Sequence, residues 1–167
     1  ATVGTHRDEI ISDMESGEGY DRSSLDLSGD QEKLLDVLAA TGKPLIVVYI
    51  QGRPLNMNNA SEKADALLTV WYPGQEGGHA IADVLFGNYN PAGRLPISVP
   101  RSVGQLPVYY SLGRQNSYVE ESSSPLYAFG QGLSYTHFKY EDLSIKEGED
   151  HVQISCTVTN TGGIDGD

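Results

Sequence analysis

The sequence predicts an α/β fold with mostly parallel strands, followed by the start of a β-sandwich. Three observations carry this. The β-branched run "LIVVYI" (45–50) follows directly on an amphipathic stretch, "GDQEKLLDVLAATG" (29–42). A second pair of apolar strand and helix follows at 64–87. Near the end the period changes, and "HVQISCTVTNTGG" alternates apolar and polar residues at a spacing of two. Helices between apolar strands imply parallel pairing through right-handed crossovers. A period of two implies a half-exposed antiparallel strand.

Each element has its own local warrant. In the 29–42 stretch Leu34, Leu35 and Leu38 form one stripe, and Ser28 or Asp30 is placed to cap the start. Gly42 suits a left-handed residue after the helix, and Pro44 forbids continuation. "LIVVYI" reads as a strand covered on both faces. "ADALLTVWY" (64–72) contains a second short strand. "GQEGGHAIADVLFG" (74–87) reads as a helix with Ala80, Ile81, Val84 and Leu85 inward and Gly87 as its stop. Two such units are too few for a complete doubly wound sheet. Residues 88–136 are rich in Tyr, Gly, Ser and turn dipeptides and read as a long wrapped loop, of the kind that tends to serve function or an interface. A boundary is expected near 135–141. In the terminal strand Val152, Ile154, Cys156 and Val158 share one face.

Composition narrows the function classes. The 167 residues carry a formal net charge of −12. Nucleic acid and anionic membrane both require a basic face, so neither is expected as a partner. No apolar run approaches the ~18 residues of a membrane span. One cysteine permits no internal disulfide. The sequence lacks a nucleophile elbow, a Walker phosphate loop, His-Glu-x-x-His and Cys-x-x-Cys. His6, His79, His137 and His151 are scattered and read as surface residues rather than a metal set, and neither metal nor cofactor is expected. Cys156 reads as a small core residue. "GQEGGHA" reads as a tight strand-to-helix junction, with Gly77 and Gly78 permitting close approach, rather than as a phosphate cradle. Trp71-Tyr72-Pro73, at a strand's carboxyl end, suits either the floor of a sugar site or packing beneath a loop, with packing favoured.

The stretch richest in candidate chemistry is "MESGEGYDR" (14–22). Glu15, Glu18 and Asp21 recur at a helix-like interval, but Gly17 and Gly19 interrupt it, each at about 1 kcal/mol relative to Ala. The stretch is therefore a loop. The glycines flanking Glu18 let its side chain project, and Asp21-Arg22 can shape the loop as an ion pair.

The blocks "SGEGYDRSSLDLSGDQ", "TGKPLIVVYIQGRPL", "WYPGQEGGHAIADVLFGNYNPAGRLPISVPRSVGQLPVYY" and "PLYAFGQGLSYTHFKY", in that order, closely resemble the C-terminal half of glycoside hydrolase family 3, the exo-acting β-glucosidases and β-xylosidases. The resemblance runs from about residue 12 to the end. It implies that 1–100 are the second half of an α/β sandwich domain, 101–135 a connecting loop region, and 136–167 the truncated start of a fibronectin type III-like domain. It implies an N-terminal barrel carrying an Asp nucleophile that is not in this chain, and so an isolated piece without activity. On the matching loop it implies that Glu18 is the general acid/base, with Glu15 the alternative, and that Arg22 and Tyr20 are the substrate-binding candidates. The substrate class is an oligosaccharide or an aryl or alkyl β-glycoside. The setting it implies is secreted or periplasmic. A non-catalytic carbohydrate-binding or interdomain module on the same scaffold is the alternative reading. Because such a Glu is buried only when domains dock, it is expected to be exposed in this chain alone.

Overall fold

The computed structural model describes residues 22–111 and 118–166. Glu15, Glu18, Tyr20 and Asp21 lie outside the described residues, and so does His6. The described residues form two compact units. The first holds those up to Gly77 together with Leu95–Gln131; the second holds Gly78–Arg94 together with those from Gly132 on.

In the first unit α1 (Gln31–Ala39) leads to β1 (Ile46–Tyr49), a short α2 (Asn58–Lys63) and β2 (Ala66–Thr69). β1 and β2 pair in parallel, Ile46 opposite Ala66 through Tyr49 opposite Thr69, which is the pairing that a helical crossover dictates. This is a partial α/β arrangement. Gly42 does adopt the left-handed conformation, at φ 66°. Asp30 occupies the N-cap of α1 but makes no side-chain cap bond; its carboxylate instead accepts from Lys33.

The described residues of the first unit share one core. Leu35, Tyr49, Leu55, Met57, Ala60 and Val99 are buried, and Val47, Leu67, Leu95 and Tyr127 pack partly buried against them. Two expectations fail here. Of the leucine stripe on α1 only Leu35 is buried, while Leu34 remains 58% exposed. β1 is not covered on both faces, since Ile46 is exposed, as is Ile50 just beyond the strand. The cause is geometric: among the described residues, two strands and two helices enclose one face of the sheet. α2, from "NNASEK", was not legible as a helix because it has no apolar stripe; it buries a single residue, Ala60.

The described residues of the long loop, 88–111 and 118–136, are largely irregular, as expected, yet firmly pinned. Val99 and Tyr127 form an antiparallel bridge, with Val99 N–H donating to the Tyr127 carbonyl at 2.8 Å. Gln105, in a short 3-10 turn (Val103–Gln105), is buried. Its amide nitrogen donates to the Ser122 carbonyl at 2.8 Å, and its oxygen accepts from the Arg101 N–H at 2.6 Å. One buried amide thus fastens both arms of the loop.

The second unit contains most of α3 (Gly77–Leu85) and a hairpin of β3 (Phe138–Glu147) and β4 (Val152–Asn160). Gly87 ends α3 at φ 78°, as its sequence position predicts. Ala80 is exposed rather than inward, and Ile81, Val84 and Leu85 are half-buried. The hairpin is antiparallel, but every residue of β4 is exposed, Cys156 included. The alternation of Val152, Ile154, Cys156 and Val158 therefore marks a face that these two strands alone do not cover. Asn90 anchors the base of the hairpin: its buried carbonyl oxygen accepts from the Ser134 hydroxyl and the Tyr135 N–H at 2.9 and 2.7 Å.

Gly132 shows how closely this unit is packed. A Cβ there would lie 2.7 Å from the Gly93 carbonyl oxygen and 2.7 Å from Arg94 Cδ. The oxygen belongs to the backbone and cannot swing aside. Gly132→Ala is expected to destabilise the unit by about 1–3 kcal/mol, read as a lower denaturation midpoint. Gly78→Ala is the control: it lies inside α3 with nothing within 4 Å of its Cβ position, and replacing a helical glycine is expected to stabilise by about 0.5–1 kcal/mol.

Candidate functional site

The described side of the candidate loop begins at Arg22 and runs into "SSLDLS". Asp26 organises this segment. Its two carboxylate oxygens accept from the Ser24 hydroxyl at 2.7 Å and from the Asn56 side-chain amide at 2.8 Å. Its own N–H returns a bond to Ser24 Oγ at 3.0 Å, closing a local turn. The Asn56 N–H donates to the Leu25 carbonyl at 2.6 Å, so the segment is tied to the chain just beyond β1 by backbone as well as side chain.

The Ser24 hydroxyl first, the Asn56 amide second and the Arg22 charge last hold the Asp26 carboxyl below its ordinary value, against a smaller opposing effect of burial. A carboxyl held low in the folded state stabilises the fold above its unfolded value and loses that contribution as pH falls through the folded one. The first unit is therefore expected to weaken on acidification from the ordinary 3.8 downward. Asp26→Asn should flatten that part of the profile, as measured by urea midpoints across the acid range. An unchanged acid limb would contradict the assignment. By the same logic Asp26 is a poor proton donor near neutral pH, and what its carboxylate does is hold this segment together.

A cavity of about 320 Å³ opens beside this segment, between Ser23–Asp26 and Asn56 on one side and Ser102–Gly104 on the other. The far wall is braced too. The Ser102 hydroxyl donates to Glu121 at 2.7 Å, and the Tyr118 hydroxyl donates to the Gly104 carbonyl at 2.8 Å.

The carboxyl ends of β1 and β2 form a second feature, and open α/β sheets present their ligand loops at such ends. Gln51 is buried there, donating to Thr69 Oγ1 at 2.9 Å and accepting from the Leu55 N–H at 3.3 Å. Trp71 has φ 52°, a left-handed conformation uncommon for a large side chain, and its carbonyl accepts from the Gln51 N–H. Tyr72 is 66% exposed, yet its ring end lies so close to Gly52 that no Cβ fits there. The favoured packing role thus holds for the tip of Tyr72 and not for its whole ring.

At the Gly-rich junction before α3, Gly77 is buried and a Cβ would meet Pro73 at 2.5 Å, so close approach is required there; Gly78 has no neighbour and needs none. His79, His137 and His151 are exposed. Among the described residues no cluster of His, Cys, Asp or Glu is arranged to hold a metal ion, and no helix is long and apolar enough to cross a membrane. Sequence reasoning missed Asp26, Asn56 and Ser102. They are separated by 30 and 46 positions, and no spacing motif links them.

These features define a partial α/β domain with a polar segment, Ser23–Asp26, tied to the chain just beyond β1. The family comparison is specific: residues 1–135 match the glycosyl hydrolase family 3 C-terminal domain, and the chain belongs to that family. It is 46% identical over 166 residues to a periplasmic β-glucosidase of Salmonella typhimurium, covering 89% of this chain and 22% of that protein. It is 44% identical over 162 residues to a β-xylosidase of Formosa agariphila, covering 90% and 22%. Among solved structures it is similar to a β-glucosidase from Erythrobacter marinus (TM-score 0.77, 44% identity, 90% of this chain and 21% of that one). It is also similar to a β-glucosidase from Listeria innocua in complex with isofagomine (TM-score 0.80, 33% identity, 90% and 24%). The chain spans about a fifth of the length of the curated relatives it matches.

Proposed function

We propose that the chain is the part of a retaining exo-β-glycosidase that supplies the general acid/base, Glu18, with Glu15 the alternative. The substrates are terminal, non-reducing β-D-glucosyl or β-D-xylosyl units of oligosaccharides or of aryl and alkyl β-glycosides. What supports the reading is family membership together with the "SGEGYDR" stretch at 16–22. Relatives named as both β-glucosidase and β-xylosidase support the substrate class. In this reading 1–100 belong to the α/β sandwich, 101–135 connect, and 136–167 begin a fibronectin type III-like domain, whose remaining strands would cover the apolar face of β4. The nucleophile comes from an N-terminal barrel of the same protein, and Arg22 and Tyr20 contact substrate. A secreted or periplasmic setting is in keeping with the printed name of the Salmonella relative.

Retention requires two carboxyl groups about 5–5.5 Å apart across the scissile bond. One attacks the anomeric carbon; the other protonates the leaving oxygen and then deprotonates water. A donor with that double duty needs a raised pKa, which a closed, partly desolvated site provides. The deciding experiment is hydrolysis of alkyl and aryl β-glucosides and β-xylosides by the full-length protein and its Glu18→Ala variant. Full activity in that variant sinks the assignment.

A further inference from the structure

We infer that the cavity between Ser23–Asp26, Asn56 and Ser102–Gly104 is a binding subsite for a neutral pyranoside unit. The inference rests on the reading of the chain as part of a glycosidase, and adds to it a place where this chain itself holds sugar.

The size fits. About 320 Å³ is the lower end of the roughly 300–1,000 Å³ range of ligand pockets, room for one sugar ring rather than for a nucleotide. The lining fits as well. A pyranoside has hydroxyl groups that both donate and accept, and a ring face of C–H groups. The cavity offers serine hydroxyls and an amide that also do both, a carboxylate that accepts, and the apolar Leu25 and Val103. Other ligand classes fit less well. The Asp26 carboxylate disfavours an anion. A metal ion is disfavoured because among the described residues no group of His, Cys, Asp or Glu is arranged to hold one, and Asp26 is the single carboxylate lining the cavity. Hydroxyl groups are the ligand chemistry that tolerates donors and acceptors side by side.

The site is also preorganised. Asp26 is fixed by Ser24 and Asn56, Asn56 by the Leu25 carbonyl, Ser102 by Glu121, and Gly104 by Tyr118. Groups already held in place lose little further entropy when a ligand arrives.

The test is a backbone-amide NMR titration of the 167-residue chain with methyl β-D-glucopyranoside and methyl β-D-xylopyranoside, with glycerol as the control polyol. The expected result is saturable shifts at residues 23–26, 56 and 102–104 with a pyranoside and none with glycerol. Gly104→Leu should weaken binding by at least about tenfold. It fills the cavity at a position where a Cβ meets only Ser102 Oγ, at an ordinary 3.5 Å. Circular dichroism verifies the fold of the variant. If Gly104→Leu does not fold, Ser102→Ala takes its place and should weaken binding several-fold. Absence of saturable shifts, an equal response to glycerol, or unchanged binding in the folded variant overturns the subsite. Glu18 kinetics fail or succeed separately. A chain that binds no sugar leaves the acid/base reading standing, and a fully active Glu18→Ala enzyme removes that reading without touching the binding data.

Discussion

Glu18→Ala in the full-length protein is expected to slow hydrolysis of an alkyl β-glycoside by about 10²–10⁴-fold, the usual contribution of a positioned acid/base. The size should depend on the leaving group. An alkoxide cannot depart without a proton, so the first step collapses. A nitrophenolate departs unaided, so its first step survives and the defect moves to the second step, where no base remains to activate water. Azide, which needs no deprotonation, should then accelerate turnover of the aryl substrate and produce a glycosyl azide of retained configuration. The alkaline limb of the pH profile, set by loss of the donor's proton, should vanish in the variant. Glu15→Ala is the internal comparison and should leave all four readouts near those of the unsubstituted enzyme. If the losses and the azide rescue follow Glu15 instead, the acid/base is Glu15.

Much of the fold was legible because it depends on local physics. The run at 45–50 becomes β1, Gly42 and Gly87 take the left-handed conformation that ends a helix, and the helical crossover forces β1 and β2 to pair in parallel. What was not legible depends on partners distant in sequence or absent from the described residues. Leu34 and Leu35 are indistinguishable in a hydrophobic pattern, and only the number of available neighbours decides that Leu35 is buried and Leu34 is not. β3 was hidden by its own irregularity. The pairing register shifts between Glu141 and Ser144, with Asp142 at φ 54°, so Phe138 and Tyr140 fall on one phase and Leu143 and Ile145 on the other. A strand read at a strict period of two loses its signal at such a bulge.

The candidate site divides in the same way. The "SGEG" stretch was conspicuous in the sequence because glycines around an acid leave a mark within a few residues. The Asp26–Asn56 bond, by contrast, spans 30 positions and arises only when the chain leaving β1 returns against the segment before α1. Nothing about Asn56 in isolation distinguishes it from Asn58 or Asn59. Those two make different bonds, Asn58 to the Arg101 carbonyl and Asn59 to Glu32 and Asp36. Three asparagines within four residues thus each brace a different part of the first unit, and tertiary placement alone assigns their roles.

Met57, set among those asparagines, carries the largest expected stability effect. It is 2% exposed and clusters with Leu55, Ala60 and Val99. Truncating a buried Met to Ala removes its transfer energy and leaves a cavity, about 2–5 kcal/mol in all. With six buried apolar residues in this core among the described residues and a typical total stability of about 5–15 kcal/mol, that is a large share. At a urea dependence of about 1–3 kcal/mol per molar, Met57→Ala should lower the midpoint by about 0.7 M or more, or abolish the transition. Leu34→Ala deletes as much apolar surface by composition, but from a residue 58% exposed, and should change stability by about 0.5 kcal/mol or less. Trp71, the single tryptophan, lies in the first unit and reports its unfolding directly by fluorescence. Equal losses for Met57→Ala and Leu34→Ala would mean that the α1 stripe is buried in solution and that the core is not centred on Met57.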